Sequence, residues 1–253
     1  MKMKFKVLSL ASIIAGCGLA TSAFAQYMTE NATAPSGNVI LQQLVGGSTS
    51  SSPGASGHDY LNNPPPGETF TLGSAATLGA VTVQGNGDAG YWSGSAFYGT
   101  LASSPITAGL EWQLQIGSVS GTTINVLDTE QVNGFAPVAD NTFITFDLAH
   151  PVALAAGQEY AFSFNLLNSL SNGNDSTWYG LSESLTPKIG AGNAFNNGTT
   201  VGSFADTVVP ITTGSPGQYD FVFVLQSVPE PATLALLGFG ALGALIGLRH
   251  RRS

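Results

Sequence analysis

The sequence predicts an all-β protein, a two-sheet sandwich or jelly-roll-like extracellular domain, from three observations. Strand-length runs alternate between apolar and polar residues, most clearly where Tyr160, Phe162, Phe164 and Leu166 recur at every second position. This period of two places one face of a strand in a core. The region between the chain ends shows no convincing 3.6-residue helical period. Glycine and small polar residues separate about eight or nine such runs, as in sandwiches.

The runs define the predicted strands and the domain boundaries. A Gly/Ser/Thr/Pro stretch at 46–57 and three consecutive prolines at 64–66 indicate a linker before the main domain. We therefore assign 26–67 to an N-terminal segment and 68–227 to the β-domain. The predicted strands are 68–72, 77–84, 111–116, 122–127, 142–148, 160–166, 178–181 and 221–225.

The charge distribution excludes nucleic acid as a partner. The whole chain has a net charge of −8, but its lysines and arginines concentrate at the two ends. From Gln26 to Ser227, 14 acids face the single basic side chain of Lys188, which gives a net charge of −13. Proteins that bind nucleic acids need clustered basic side chains to displace counterions. The acidic domain is unsuited to that role.

The N-terminus has the three parts of a secretory signal peptide, which we assign to residues 1–25. Lysines precede an apolar run, and Ala23 and Ala25 form an A-x-A cleavage site before Gln26. Lipidation of Cys17 is the alternative, because small residues precede this cysteine as in lipoprotein leaders. Cys17 is the only cysteine, so cleavage by signal peptidase after Ala25 leaves a mature chain without disulfides or thiolate metal sites. Both alternatives make the protein exported.

The C-terminal 26 residues, 228–253, have the pattern of a sorting tail. Val228, Pro229, Glu230 and Pro231 precede an unbroken apolar run at 232–248, which predicts a single hydrophobic helix at the short limit for a membrane span. Basic residues after the run favour a cytoplasmic location for that end. These are Arg249, Arg251 and Arg252.

This tail resembles the PEP-CTERM sorting signal. The resemblance implies recognition by an exosortase, a membrane-embedded cysteine transpeptidase, with processing near Pro229, Glu230 and Pro231. It further implies transient anchoring in the inner membrane, followed by transfer to the cell surface or extracellular matrix.

A second resemblance covers roughly 69–226. The strand 143–148, the segment Pro151 to Gly157 with its PVxLxAG pattern, and the aromatic strand starting at Tyr160 resemble extracellular choice-of-anchor β-domains. The resemblance implies a jelly-roll-like module in which the PVxLxAG segment is a turn. It supplies no active-site residues.

Two patterns that could bind cofactors have simpler interpretations. Residues 85–90 match GxGxxG, the pattern of a dinucleotide site. Such a site needs a helix directly after the glycines, whereas a glycine-rich aromatic segment follows here. We therefore expect residues 85–90 to form a turn or loop. Oxygen ligands suited to a structural calcium ion occur, without a complete calcium loop. They are Asp88, Asp140, Asn141, Asn172, Asn174 and Asp175. With only His58 and His150 in the mature chain, we predict no metal site and no required cofactor.

The sequence does not predict an enzyme. It has no Gly-x-Ser-x-Gly elbow for a nucleophilic serine. Two pairs of acids, Asp128 with Glu130 and Glu159 with Glu183, are of the type that cleaves glycosidic bonds. No sequence feature brings either pair into a cleft, so a secreted hydrolase ranks third among the functions considered.

Aromatic residues beside glycine and serine give the best candidate for ligand binding. Tyr91, Trp92 and Tyr98 belong to one such segment, and Trp178 follows an Asn-rich turn. Exposed aromatic faces stack on sugar rings, although core packing is the alternative for each residue. Two functions remain: a structural or adhesive protein of the surface or matrix, and a glycan-binding module that contacts extracellular polysaccharide.

Overall fold

A computed structural model confirms the all-β prediction and the two-sheet sandwich. It describes residues 27–44, 65–93, 96–99, 110–135, 142–166, 176–184, 191–198, 203–210 and 220–228. Every regular element in these ranges is a β-strand. No helix in this part of the chain has the length and hydrophobicity needed to cross a membrane. The predicted signal peptide and the predicted tail helix lie outside the described residues.

The described residues form fifteen strands. They are β1 (Tyr27–Asn31), β2 (Val39–Gln43), β3 (Pro66–Thr71), β4 (Ala76–Ser93), β5 (Ala96–Gly99), β6 (Leu110–Ser120), β7 (Thr123–Phe135), β8 (Phe143–Leu154), β9 (Glu159–Leu166), β10 (Ser176–Leu181), β11 (Glu183–Ser184), β12 (Ala191–Asn197), β13 (Val208–Pro210), β14 (Asp220–Phe221) and β15 (Phe223–Ser227).

Two large antiparallel sheets and one short pair organise these strands. The first sheet has the order β1-β8-β4-β15-β2, and both β5 and β10 also pair with β4. The second has the order β13-β12-β3-β9-β6-β7, while β11 and β14 form the short pair. Most neighbours are distant in sequence, as the long connections of a sandwich require.

Aromatic rings from the inner faces of the two sheets hold the sandwich together. Phe162 of β9 and Phe223 of β15 have ring centroids 5.4 Å apart, and Phe146 of β8 lies 6.2 Å from Phe164 of β9. All four side chains are at most 1% exposed. Each pair therefore joins one sheet to the other. Edge-to-face and tilted rings add about 0.5–1.5 kcal/mol per pair to the hydrophobic stabilisation.

Besides the strands β5, β11, β12 and β13, which the sequence did not predict, the structure differs from the sequence prediction in three places. Segment 26–67 contributes β1 and β2 to the first sheet, because β1 pairs with β8 and β2 pairs with β15. The glycines of 85–90, expected in a turn or loop, lie within β4; Gly90 pairs with β10 on one side and with β5 on the other, and Gly85 pairs with β10. The segment Pro151 to Gly157, expected to be a turn, is a turn only in its last part: β8 continues to Leu154, and the turn lies at 156–157, with Gly157 at a φ of 74°.

The register places both ends of the described chain at one end of the first sheet. Tyr27, at the start of β1, is opposite Asp147, which is opposite Ala80. Ser227, at the end of β15, is opposite Leu78, only two residues away along β4. The chain that follows Gln26 therefore enters where the chain that precedes Pro229 leaves.

The last described residue, Val228, is still part of the fold. Its backbone N–H donates to the Thr77 carbonyl at 3.1 Å. A Cβ added to Gly79 would lie 2.7 Å from the Val228 side chain, so a larger residue at position 79 would displace Val228. Hydrogen bonding of the domain therefore extends to the residue before Pro229.

Asp220 is a buried acid at the start of the β14–β15 segment, with 1% exposure. Burial raises the pKa of its carboxyl above the ordinary value of 3.8, while hydrogen bonds from the Gln43 side chain and the Ala194 backbone lower it. Because the net shift is upward, the folded state binds this proton more tightly than the unfolded state does. The resulting stabilisation is present at low pH and is lost as the pH rises through the raised pKa.

Replacing the Asp220 carboxyl tests whether its raised pKa makes stability depend on pH. Asp220→Asn cannot ionise, so the free energy of unfolding should fall less between about pH 4 and pH 7 in the variant than in the native protein. Urea unfolding at several pH values measures both curves. Parallel curves for the two proteins would contradict the expectation.

Candidate functional site

The aromatic candidates meet on a three-stranded ribbon formed by β5, β4 and β10. Tyr91 of β4 is opposite Tyr98 of β5 on one side and opposite Thr177 of β10 on the other, so β4 is the central strand. Trp92 is opposite Phe97 and Ser176. Residues that are more than 80 positions apart in sequence thus become neighbours, as the pairing of β4 with β10 shows.

The register divides the four predicted binding residues between two faces of this ribbon. Positions two apart on a strand, and positions directly opposite each other, belong to one face. Trp178 is opposite Gly90, two residues before Trp92, so the two tryptophans occupy positions of one face. Tyr91 and Tyr98 occupy positions of the other face. The structure thus brings the four residues together on one ribbon and separates them into two pairs.

The ribbon lies at the end of β4 that is remote from the chain termini. Leu78, opposite Ser227, is near the start of β4, and Trp92 is near its end. At about 3.3 Å per residue, an extended strand separates these positions by about 45 Å. The domain therefore has one end from which the tail leaves and an opposite end that carries the aromatic ribbon.

A second cluster joins the edge strand β7 to a bulge in β8. Leu78 is opposite Val152 and Ala80 is opposite Asp147, which leaves four β8 residues beside the single residue Gly79. The backbone N–H groups of Ala149 and His150 lie in this bulge and donate to the Glu130 carboxylate at 2.8 and 2.6 Å. Glu130 thus links the edge of the second sheet to irregular backbone of the first.

Asp128 and His150 complete this cluster. The His150 Nδ1 atom lies 3.3 Å from Glu130 Oε1 and 3.9 Å from Asp128 Oδ1. The Glu130 side chain is 3% exposed, whereas the His150 side chain is 80% exposed. Burial raises the pKa of Glu130, the Ala149 and His150 amides lower it, and the nearby Asp128 raises it further, with a net increase.

Asp128 and Glu130 lie two residues apart on β7, and the sequence analysis considered them together only as possible glycosidase acids. The two acids are opposite Ile116 and Leu114 of β6, whose side chains are buried in the core, so both belong to that face of the second sheet. The alternation of acids on a strand was readable from sequence, but it normally indicates a solvated face. The bulge in β8 gives these acids partners, and no sequence motif identified His150 as their neighbour.

The remaining candidates fall largely outside the described residues. This applies to Ala23, Ala25, Gln26, Pro229, Glu230, Pro231 and the three arginines of the tail, and to the calcium candidates Asp140, Asn141, Asn172, Asn174 and Asp175. Asp88 lies in β4. Glu159 and Glu183 start different strands, β9 of the second sheet and β11 of the short pair.

A comparison with protein families decides the identity of the tail. The model of the PEP-CTERM protein-sorting motif matches residues 227–252. The chain carries a PEP-CTERM sorting motif. This motif marks an exported protein that is anchored at its C-terminus in the membrane before processing by an exosortase-type system and ends at the cell surface. The sequence predictions of an exosortase substrate and of a surface location are confirmed.

Two solved structures resemble the fold weakly, and no curated protein matches the chain. One is a variant of the clostridial cysteine protease Cwp84 after propeptide cleavage, with a TM-score of 0.39, 12% identity, and coverage of 68% of this chain and 38% of the other. The other contains the cysteine protease and lectin-like domains of Cwp84, a surface layer associated protein of Clostridium difficile. Its TM-score is 0.39 and its identity 11%, with 67% and 33% coverage. The chain thus spans between 33% and 38% of the length of these two structures.

The contacts of Glu130 predict its contribution to stability. Glu130→Gln keeps one acceptor oxygen and replaces the other with an NH₂ group that faces a backbone donor. Loss of this buried hydrogen bond should lower the free energy of unfolding by about 1–3 kcal/mol. Denaturant unfolding of both proteins measures the change. Glu159→Gln, at an exposed acid on β9, is the matched control and should change stability by less than about 0.5 kcal/mol; equal losses in both variants would contradict the role of Glu130.

Proposed function

We propose that this chain is a structural or adhesive protein of the bacterial surface or extracellular matrix. The observation that supports the proposal most is that the tail and the aromatic ribbon lie at opposite ends of the domain. Its sorting tail leaves one end of the first sheet, and the aromatic ribbon lies about 45 Å away along β4. A protein held through its tail would present the ribbon away from the site of attachment. An adhesive contact requires that arrangement.

The acidic surface agrees with this role. Fourteen acids and one lysine between Gln26 and Ser227 give a net charge of −13 in that region. High net charge keeps such a protein soluble and opposes nonspecific binding to anionic lipid and nucleic acid. Contacts to a matrix would therefore come from a specific surface rather than from general electrostatic attraction.

Processing of the tail is the first test. Replacing Pro229, Glu230 and Pro231 together with alanine should leave export and membrane insertion intact, because the apolar run and the arginines remain. An enzyme that processes this element needs an extended substrate, and prolines prevent helix there. We expect the variant to accumulate at full length in the membrane, while the native protein yields a shorter surface or matrix form.

Immunoblots of membrane, surface and medium fractions from a host with the exosortase make this comparison. The matched control replaces Ser51, Ser52 and Pro53 of the linker with alanine, and it should be processed like the native protein. Equal mature size and equal distribution of the native protein and the Pro229-Glu230-Pro231 variant would refute the role of the motif.

Glycan binding is the second candidate function, and the register of the ribbon favours it. Trp92 and Trp178 hold neighbouring positions of one face, with Gly90 opposite Trp178 and Gly99 opposite Gly90. Glycine in a strand interior often marks close approach of a ligand. A pair of tryptophans beside two residues without side chains provides positions for a flat sugar ring.

Face-specific substitutions test glycan binding. Trp92→Ala and Trp178→Ala should each weaken binding of the full-length chain to the host's extracellular polysaccharide about tenfold, which corresponds to about 1.4 kcal/mol for one aromatic contact. Cosedimentation with the purified polysaccharide measures the affinity. Tyr91→Ala on the other face is the control, and equal effects of all three substitutions would contradict a site on the tryptophan face.

A further inference from the structure

Three donor atoms of the β7–β8 cluster converge at distances suited to one metal ion. Asp128, Glu130 and His150 each offer one ligand atom, and these atoms all lie within 4.8 Å of one another. The His150 Nδ1 atom lies 3.3 Å from Glu130 Oε1 and 3.9 Å from Asp128 Oδ1. Two ligands bound about 2.0–2.2 Å from one tetrahedral zinc ion lie about 3.3–3.6 Å apart. The cluster needs only small side-chain adjustments to match this geometry.

The charges of the cluster favour a bound cation. Asp128 and Glu130 bring two carboxylates together, and Asp128 Oδ2 is buried without a hydrogen-bond partner. Buried carboxylate oxygens are normally hydrogen-bonded, paired with a cation or bound to a metal. The residues that the structure describes include no lysine or arginine that could neutralise the pair. A divalent ion would supply both the missing charge and the missing contact.

The identity of the donors distinguishes between ions. Calcium and magnesium prefer oxygen ligands, and an imidazole nitrogen is a poor ligand for both. Zinc accepts imidazole and carboxylate together, and three protein ligands leave its fourth position open. We propose that Asp128, Glu130 and His150 bind a zinc ion whose open position faces solvent beside the exposed imidazole of His150.

The position of the cluster gives the ion a defined effect. Asp128 and Glu130 lie on the edge strand of the second sheet, while His150 lies in the bulge of the first. Zinc would therefore cross-link the two sheets at the β8 bulge, where the pairing of β8 with β4 is irregular. Its binding would stabilise the folded state by an amount that depends on the zinc concentration and on the affinity of the site. The open position would take water or a donor atom of another molecule.

Metal titration of the purified full-length chain tests this site. After treatment with chelator, zinc chloride should bind with a stoichiometry of one and raise the unfolding temperature. Asp128→Asn and His150→Gln should each reduce the zinc affinity at least about tenfold. Loss of a residue that only hydrogen-bonds to a metal ligand already has an effect of this size, and these two residues would bind the ion directly. Absorption spectra with cobalt(II) as a probe should show a nitrogen- and oxygen-ligated ion that disappears in both variants.

The control removes the other two of the three histidines in the chain, by His58→Gln with His250→Gln. This variant should bind zinc like the native protein. Three results would overturn the proposal: no zinc binding by the native chain, equal zinc affinity in the native chain and His150→Gln, or thermal stabilisation by calcium that matches that by zinc and survives His150→Gln. The tail and ribbon tests are independent of all these outcomes.

Discussion

Aromatic packing between the two sheets is the constraint on which the rest of this structure depends. Phe162 against Phe223 and Phe146 against Phe164 connect the inner faces. The only cysteine lies in the predicted leader, and the described residues include no lysine or arginine, so neither disulfides nor lysine or arginine ion pairs share this task there. Removing one such ring typically costs about 3–5 kcal/mol, a large part of the stability of an ordinary domain.

A stable sandwich body allows β4 to serve two purposes. Its first half, up to Gln84, pairs with β8 and β15 inside the body, and its second half pairs with β5 and β10 in the ribbon. One continuous strand therefore connects the core to the aromatic positions. A rigid element of this kind positions binding residues more accurately than a loop does. Gly90 fits this role, since β5 and β10 pair with its backbone from the two sides.

The sequence predicted those elements in which local pattern and burial agree. β9 was clear because its alternate residues face the core, and β15 was clear because both of its faces are buried. β1, β2 and the far half of β4 were missed, since their strand character comes from partners distant in sequence. The cluster at Glu130 was missed for a related reason: acids at alternate positions indicate an exposed face, whereas the bulge at His150 covers Glu130 and partly covers Asp128.

The sorting motif and the fold overlap at only two residues, Ser227 and Val228, and this limits what processing can do to the domain. Val228 still donates a backbone hydrogen bond to Thr77, and β15 just before it is held between β4 and β2. Every strand that the structure describes precedes Pro229. Removal of the residues after the Pro-Glu-Pro element therefore takes no described strand from either sheet. Because the start of β1 lies at the same end, a protein attached there would carry the positions of Trp92 and Trp178 at the opposite end of β4.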